Sequence, residues 1–204
     1  MAKLYFRYGA MNSGKSTALL QAAYNYEERD QRVLLAKPAI DSRGDNAIVS
    51  RLGASRAVDF TIAPDEDILA LFMRQRAALI RATDRDVSCF LVDEAQFLSE
   101  GQVDDLLRIA IEEDVPVLAY GIRTDFVGNL FEGSQHLLAW ADTISEIKTI
   151  CHCGRKATMH LRVGPDGRAL HEGAQIEIGG NERYLSVCRR HFKTGLGDEA
   201  ARGG

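Results

Sequence analysis

At 204 residues the chain fits one medium domain, with room for a small appendage, and is long enough to bury a real core. With 46% hydrophobic and 26% charged residues and a formal net charge of −4, it has the balance of an ordinary globular protein; lacking any basic block, it carries no large electrostatic footprint for duplex nucleic acid. No apolar run approaches the ~20 residues of a membrane span, and residues 1–10 offer no apolar signal-peptide core, so a cytoplasmic protein without a membrane partner is expected.

Residues 3–8 read as a short strand that runs directly into Gly9, Ala10, Met11, Asn12, Ser13, Gly14, Lys15 and Ser16, a complete P-loop. Glycines at positions 9 and 14 let the backbone wrap tightly and aim successive N–H groups at phosphate oxygens. Lys15 then reaches the β- and γ-phosphates, and the Ser16 hydroxyl is placed to ligate Mg²⁺. From Thr17 to about Arg29 the chain is rich in Ala, Leu, Gln and Glu and breaks at Asp30, which predicts a helix whose N-terminus lies beneath the phosphates. Strand, loop and helix in this order predict binding of a nucleoside triphosphate.

Residues 32–37 form a predicted buried strand closed by Pro38, and the polar, aperiodic stretch 39–56 is expected to be a mobile loop. A short strand follows at 57–62. Residues 65–82 place Ile68, Leu69, Leu71, Phe72, Leu79 and Ile80 at helical spacing. A strand at 89–92, a helix at 101–113, a strand at 115–120, a helix at 134–140 and a last core strand at 142–150 complete the series. Alternating strands and helices imply βαβ units and a mostly parallel sheet over residues 1–150. Beyond Ile150 the character changes to short strand-like pieces, 159–163 and 175–178, around the turn Gly164-Pro165-Asp166-Gly167. Residues 151–192 are read as a small β appendage and 193–204 as a flexible tail.

Two groups of residues carry the chemistry. Phe90-Leu91-Val92-Asp93-Glu94 is an apolar strand ending in two acids, the expected partner of a P-loop. Asp93 would hold a hydrated Mg²⁺, and Glu94 would accept a proton from an attacking hydroxyl or water. These residues do not identify the nucleophile. Asp93-Glu94-Ala95-Gln96 superficially resembles the box of nucleic-acid helicases, yet such motors need two similar α/β domains and this chain has residues for one. Cys151-His152-Cys153 is followed by Cys188 and His191, two close groups flanking a β-rich insert, which is the pattern of a structural zinc site. Cys151, Cys153, Cys188 and His191 are the preferred ligands, with His152 an outside candidate. Cys89 reads as a buried small hydrophobe, and His136, His160 and His171, without partners in sequence, as surface or packing residues.

Taken in order, these marks resemble the type II thymidine kinase family. The residues that carry the resemblance are 9–17, Lys37-Pro38 with Asp41 and Arg43, Val92 to Phe97, Tyr120 to Phe126, the cysteine groups, and 178–184. The spacing C-x-C departs from the C-x-x-C of many members. The resemblance implies a RecA-like P-loop core and a zinc-bearing "lasso" that folds over the nucleoside base. It also implies transfer of the γ-phosphoryl group of ATP to the 5′-hydroxyl of thymidine, or of deoxyuridine, in pyrimidine salvage.

Matched residue by residue, the resemblance assigns ATP and Mg²⁺ contacts to 9–17 (Gly9 through Thr17) and to Asp93, Glu94, Ala95 and Gln96. Nucleoside contacts fall to Met11, Phe126, Gln175, Ile176, Glu177, Ile178, Gly179 and Tyr184. Glu94 becomes the base, with Lys15 and Arg43 steadying the transferring phosphate. A homotetramer and feedback inhibition by thymidine triphosphate are further implications. The alternative is a single-domain P-loop ATPase whose zinc ribbon binds nucleic acid or protein; the insert's Arg155, Lys156, Arg162, Arg168, Arg183, Arg189 and Arg190 keep that alternative open.

Overall fold

The structure, a computed structural model, describes residues 1–40, 46–166, 168–170, 172–173, 175 and 183–195. Its centre is a six-stranded sheet of β1 (Leu4–Tyr8), β2 (Arg32–Pro38), β5 (Phe60–Ile62), β6 (Val87–Val92), β7 (Val117–Gly121) and β8 (Thr143–Glu146). The spatial order is β5-β2-β6-β7-β1-β8, and every neighbouring pair is parallel.

Side-chain alternation explains how this sheet is covered. On β2, Leu34 and Ala36 point to one face and Val33 and Leu35 to the other; Phe90 and Val92 against Cys89 and Leu91 on β6 repeat the pattern. The first face packs on α2 (Ile68–Thr83), α3 (Glu100–Glu112) and α4 (Glu132–Trp140), through Phe72, Leu106, Ile109 and Leu137. The second receives Leu19 and Ala23 of α1 (Lys15–Glu27). Both faces are therefore apolar, which is why the central strands read as continuous hydrophobic runs. Cys89 is fully buried in the second cluster, as expected of a small hydrophobe.

Helix boundaries follow local chemistry. Asp67 caps α2 by accepting the Ala70 N–H at 2.7 Å. Ser99 and Gln102 form a reciprocal capping box at the start of α3. α1 begins two residues earlier than the sequence suggests, because Gly14 supplies a left-handed cap at φ 86°.

Three expectations are corrected. Within the stretch read as a loop, β3 (Ala47–Val49) and β4 (Ser55–Ala57) form an antiparallel hairpin, while residues 41–45, Arg43 among them, lie outside the described residues. The strand expected at 57–62 is broken, because the Asp59 carboxylate accepts the Leu35 N–H at 2.7 Å and only Phe60–Ile62 enters the main sheet. The last core strand is split as well. β8 pairs with β1 until the Ile147 N–H reaches the Tyr8 carbonyl at 2.7 Å. There β1 gives way to the P-loop, so the chain has no neighbour left to pair with. It leaves as β9 (Thr149–Ile150), which pairs instead with β10 (Lys156–Ala157).

Beyond β10, a small antiparallel sheet is built from β11 (Met159–Val163), β12 (Ala169–Leu170) and β13 (Tyr184–Val187), followed by α5 (Arg189–Thr194). A mostly parallel P-loop-type core sheet with a small antiparallel C-terminal sheet is the architecture the pattern predicts. The strand expected at 175–178 falls, apart from Gln175, outside the described residues, and the expected tail begins with two residues of α5 rather than irregular chain. Among the described residues no helix is long and apolar enough to cross a membrane.

One close approach fixes the floor of the site. Gly133, in the first turn of α4, lies so near the 3-10 turn Ala95–Phe97 that an added Cβ would stand 2.5 Å from the Ala95 carbonyl oxygen, 2.7 Å from that of Leu98 and 3.0 Å from that of Gln96. All three neighbours are backbone and cannot swing aside. Gly133→Ala should therefore lower stability by about 1–3 kcal/mol through overpacking, even though alanine is the better helix former. Urea denaturation would check this: the midpoint should fall with an unchanged slope.

Candidate active site

The P-loop leaves β1 at Tyr8 and enters α1 at Lys15. Gly9 has no space for a Cβ, which would collide with the Ser13 hydroxyl and come within 2.7 Å of the Ile147 carbonyl oxygen. Its N–H is tied to the Gly121 carbonyl at 3.2 Å. Asn12 adopts φ 65° and Gly14 φ 86°, the tight left-handed turns that a phosphate-cradling loop requires. Lys15 is buried, and its Nζ donates to the Ala10 carbonyl at 3.1 Å across the loop.

Opposite the loop stand the two acids at the end of β6, both buried. The Ser16 hydroxyl donates to Asp93 Oδ2 at 3.0 Å, and the Glu94 N–H donates to Asp93 Oδ1 at 3.0 Å. Glu94 is left-handed at φ 49°, an unfavourable conformation for a side chain of this size that ends the strand abruptly. Burial, and next the negative charge of Glu94, raise the proton affinity of Asp93; Lys15 and the Ser16 hydrogen bond pull the other way. A carboxylate and a hydroxyl in contact are hard oxygen donors that fit a hydrated Mg²⁺.

Gln96 sits in the turn that follows. Its Nε2 donates to Glu94 Oε2 at 2.5 Å, and its Oε1 accepts the Ile122 N–H at 3.1 Å.

A cavity of about 900 Å³ opens between the P-loop, the acids and the C-terminal sheet; Met11, Lys15, Glu94, Phe126, His160 and Tyr184 are among its walls. Phe126 is buried, with the Arg162 guanidinium stacked on its ring at 3.8 Å from the centroid. Asp125 accepts three backbone N–H groups, from Val127, Gly128 and Asn129, on Oδ1, and the Gln175 amide at 3.1 Å on Oδ2. Tyr184 meets His160 edge-on. The Asn12 amide and the Ser186 hydroxyl donate to the carbonyls of Tyr184 and Met11, joining the P-loop to β13.

Of the residues expected to touch the nucleoside, Met11, Phe126, Gln175 and Tyr184 are thus gathered on one cavity. Ile176, Glu177, Ile178 and Gly179, like Arg43, lie outside the described residues. Sequence reasoning missed His160. It is 3% exposed on the cavity wall, and burial together with the Lys15 charge drives its pKa down to about 4, so it is neutral. Alternation along β11 was the available sign, but that strand is buried on both faces and alternation alone could not assign the histidine. The hairpin wall, Ile48 to Leu52, was missed too, having been read as loop.

Cys151, Cys153, Cys188 and His191 come together with all four ligand atoms within 4.8 Å of one another. Cys153 and Cys188 have their sulfurs 3.9 Å apart, and His191 Nδ1 is 3.1 Å from the Cys151 sulfur and 3.7 Å from that of Cys188. A tetrahedral Zn²⁺ with bonds of about 2.3 Å to sulfur and 2.0 Å to nitrogen places its ligands roughly 3.5–3.8 Å apart, so the donor set fits. His152 is outside the cluster and stacks on the His191 ring instead.

The family model described as thymidine kinase matches residues 2–192. The chain belongs to the thymidine kinase family. It is 54% identical over 198 residues to a thymidine kinase of Rhodopirellula baltica, covering 96% of this chain and 90% of that one. A thymidine kinase of Idiomarina loihiensis is 55% identical over 201 residues, covering 97% and 99%. One of Ruegeria pomeroyi is 51% identical over 204 residues, covering both chains fully. For a member of this family the Cys₃His cluster supports a structural zinc site.

Cys188→Ser should lower the zinc bound per chain and loosen the C-terminal sheet while the parallel core stays folded, because binding free energy of about 10 kcal/mol or more is coupled to folding of the small part alone. Elemental analysis beside circular dichroism would check it. An unchanged metal ratio would remove Cys188 from the ligand set.

Proposed function

We propose that this chain transfers the γ-phosphoryl group of ATP to the 5′-hydroxyl of thymidine, and of deoxyuridine, giving the nucleoside monophosphate and ADP. The observation that carries the reading is the position of Glu94. It lines one cavity together with the P-loop, Asp93, Phe126 and Tyr184. That is where a hydroxyl would have to meet a γ-phosphate. Identity of 50% or more to the thymidine kinases, over nearly the whole chain, supports the substrate pair.

In this reading the N–H groups of residues 9–17 and the Lys15 ammonium hold the β- and γ-phosphates in line with the acceptor. Ser16 and Asp93 would hold the Mg²⁺, which would supply neutralisation of phosphate charge. Glu94 takes the proton of the 5′-hydroxyl as that oxygen bonds to the γ-phosphorus; the bond from phosphorus to the β,γ-bridging oxygen breaks, and ADP leaves with the electron pair. Arg43 steadies the transferring group. Phe126 packs on the pyrimidine, Met11 lies near the thymine methyl, Tyr184 reaches the sugar, and Gln175 to Gly179 clamp the base edge. Residues 151–192 act as a zinc-tied lasso on a nucleotide-binding core of residues 1–150. The reading extends to a cytoplasmic homotetramer restrained by thymidine triphosphate.

Glu94→Gln should keep ATP and thymidine binding and lower turnover by roughly 10²–10⁴-fold, the range for a lost general base. Single-turnover assays with labelled ATP would measure it, and near-parental turnover would take Glu94 out of the mechanism.

Base selection gives a second test. Thymine and uracil offer a 4-carbonyl acceptor and a protonated N3, whereas cytosine reverses both. Two mismatched buried polar groups at about 1–3 kcal/mol each give discrimination of roughly 10²–10⁴ against deoxycytidine. The methyl preference of thymidine over deoxyuridine should be weaker, since one methyl in an apolar niche is worth only ~1–3 kcal/mol. Competition assays that found deoxycytidine and thymidine equally good would overturn the clamp.

A further inference from the structure

Gln96 is 2% exposed and both ends of its side-chain amide are engaged. Its Oε1 accepts the Ile122 N–H at 3.1 Å, and its Nε2 donates to Glu94 Oε2 at 2.5 Å. The Ile122 N–H fixes the orientation of the amide: a backbone donor faces it, so the carbonyl oxygen must turn there and the NH₂ must turn to Glu94.

The surroundings leave the amide little freedom. Gly121 packs so closely that a Cβ there would lie 2.7 Å from Gln96 Oε1 and 3.2 Å from the Gln96 backbone nitrogen. Ile122 is anchored through its other peptide as well, where the Ser134 hydroxyl donates to its carbonyl at 2.6 Å. Gly133 packs on the Gln96 backbone carbonyl. The end of β7 and the start of α4 thus both pack on the residue that carries the amide.

We infer that Gln96 is a positioning residue for phosphoryl transfer, holding the Glu94 carboxylate in the plane in which it meets the acceptor hydroxyl, rather than a contact of the nucleotide or its metal. A glutamate side chain has several torsions, and the left-handed backbone at Glu94 places it on the wall of the cavity. Fixing one oxygen fixes the plane of the carboxylate and the direction of the other oxygen. The atom Gln96 would need for a cation, its carbonyl oxygen, is turned away to Ile122 and packed over Gly121.

The inference rests on the reading of Glu94 as the base, and a double-mutant cycle separates the two. Gln96→Glu keeps an acceptor for the Ile122 N–H and loses the donor; Gln96→Met keeps the volume and loses both. In the full chain at saturating ATP, each should lower kcat by about 10²-fold, the usual cost of a misplaced reacting group, with little change in either KM. In a Glu94→Gln background the same changes should cost nothing more, because there is no base left to position.

Equal losses in both backgrounds, a loss confined to the ATP KM, or no loss at all would overturn the positioning role while leaving Glu94 as the base. Parental turnover by Glu94→Gln alone would overturn the base and the positioning role with it. A measurement independent of any Gln96 variant is the side-chain amide resonance of Gln96 in ¹⁵N-labelled protein. Glu94→Ala should move it to the shift of an amide that has lost an acceptor, and an unmoved resonance would remove the contact.

Discussion

Two carboxylates, Asp93 and Glu94, are buried side by side, and much of the local geometry answers to them. After burial itself, the Glu94 charge is what most raises the proton affinity of Asp93. A buried acid pair persists only where donors and cations are supplied to it. Ser16 and the Glu94 N–H serve Asp93; Gln96 serves Glu94; the Lys15 charge lies close enough to ease the ionisation of Asp93. Each donor comes from a different element: the start of α1, the strand end itself, and the turn that α4 packs upon. The parallel sheet brings these elements to one edge because its strands all end on the same side.

The same edge is joined to the C-terminal sheet by contacts that are individually weak. Asn12 and Ser186 link the P-loop to β13, and Gln175 reaches Asp125 on the loop after β7. Arg162 of β11 lies on the ring of Phe126, and an added Cβ at Gly173 would strike that guanidinium, so the chain passes directly over it. Phe126 thus meets the cavity with a cation held against its ring.

The parts of this arrangement visible in sequence are those whose chemistry lies in local spacing. The P-loop, the Asp93-Glu94 pair and the Cys₃His ligands are short patterns in which the residue types determine the task, and the structure gathers each set as a group. The alternation of apolar strands and helices likewise gave the parallel sheet. What failed was information held by neighbours. The length of β8 is set by where β1 ends, not by anything in residues 142–150. The hairpin of β3 and β4 buries only Ile48 in the core, too little apolar periodicity to mark two strands, although Gly53 at φ 88° supplies its turn. His160 shows no partner within the chain's local pattern, because its neighbours Lys15, Asp125 and Tyr184 all come from elsewhere. Gln96 stood inside a motif, but its hydrogen bonds to Glu94 and Ile122 appear only once β7 is laid beside the turn.

The metal cluster then has a reason to sit where it does. The apolar cluster beneath the small sheet contains five buried residues, two of them cysteines of the cluster itself, so apolar burial alone cannot hold it. Cys151 follows directly on β9, where the chain has just left the edge of the core sheet, and Cys188 follows directly on β13, which touches the P-loop through Tyr184 and Ser186. A metal joining these two points closes a ring through the protein: core sheet edge, cluster, β13, P-loop, and back along β1. Tyr184 of β13 and Met11 of the P-loop line the same cavity. The cluster thus lies at one end of β13, and the cavity-lining Tyr184 at the other.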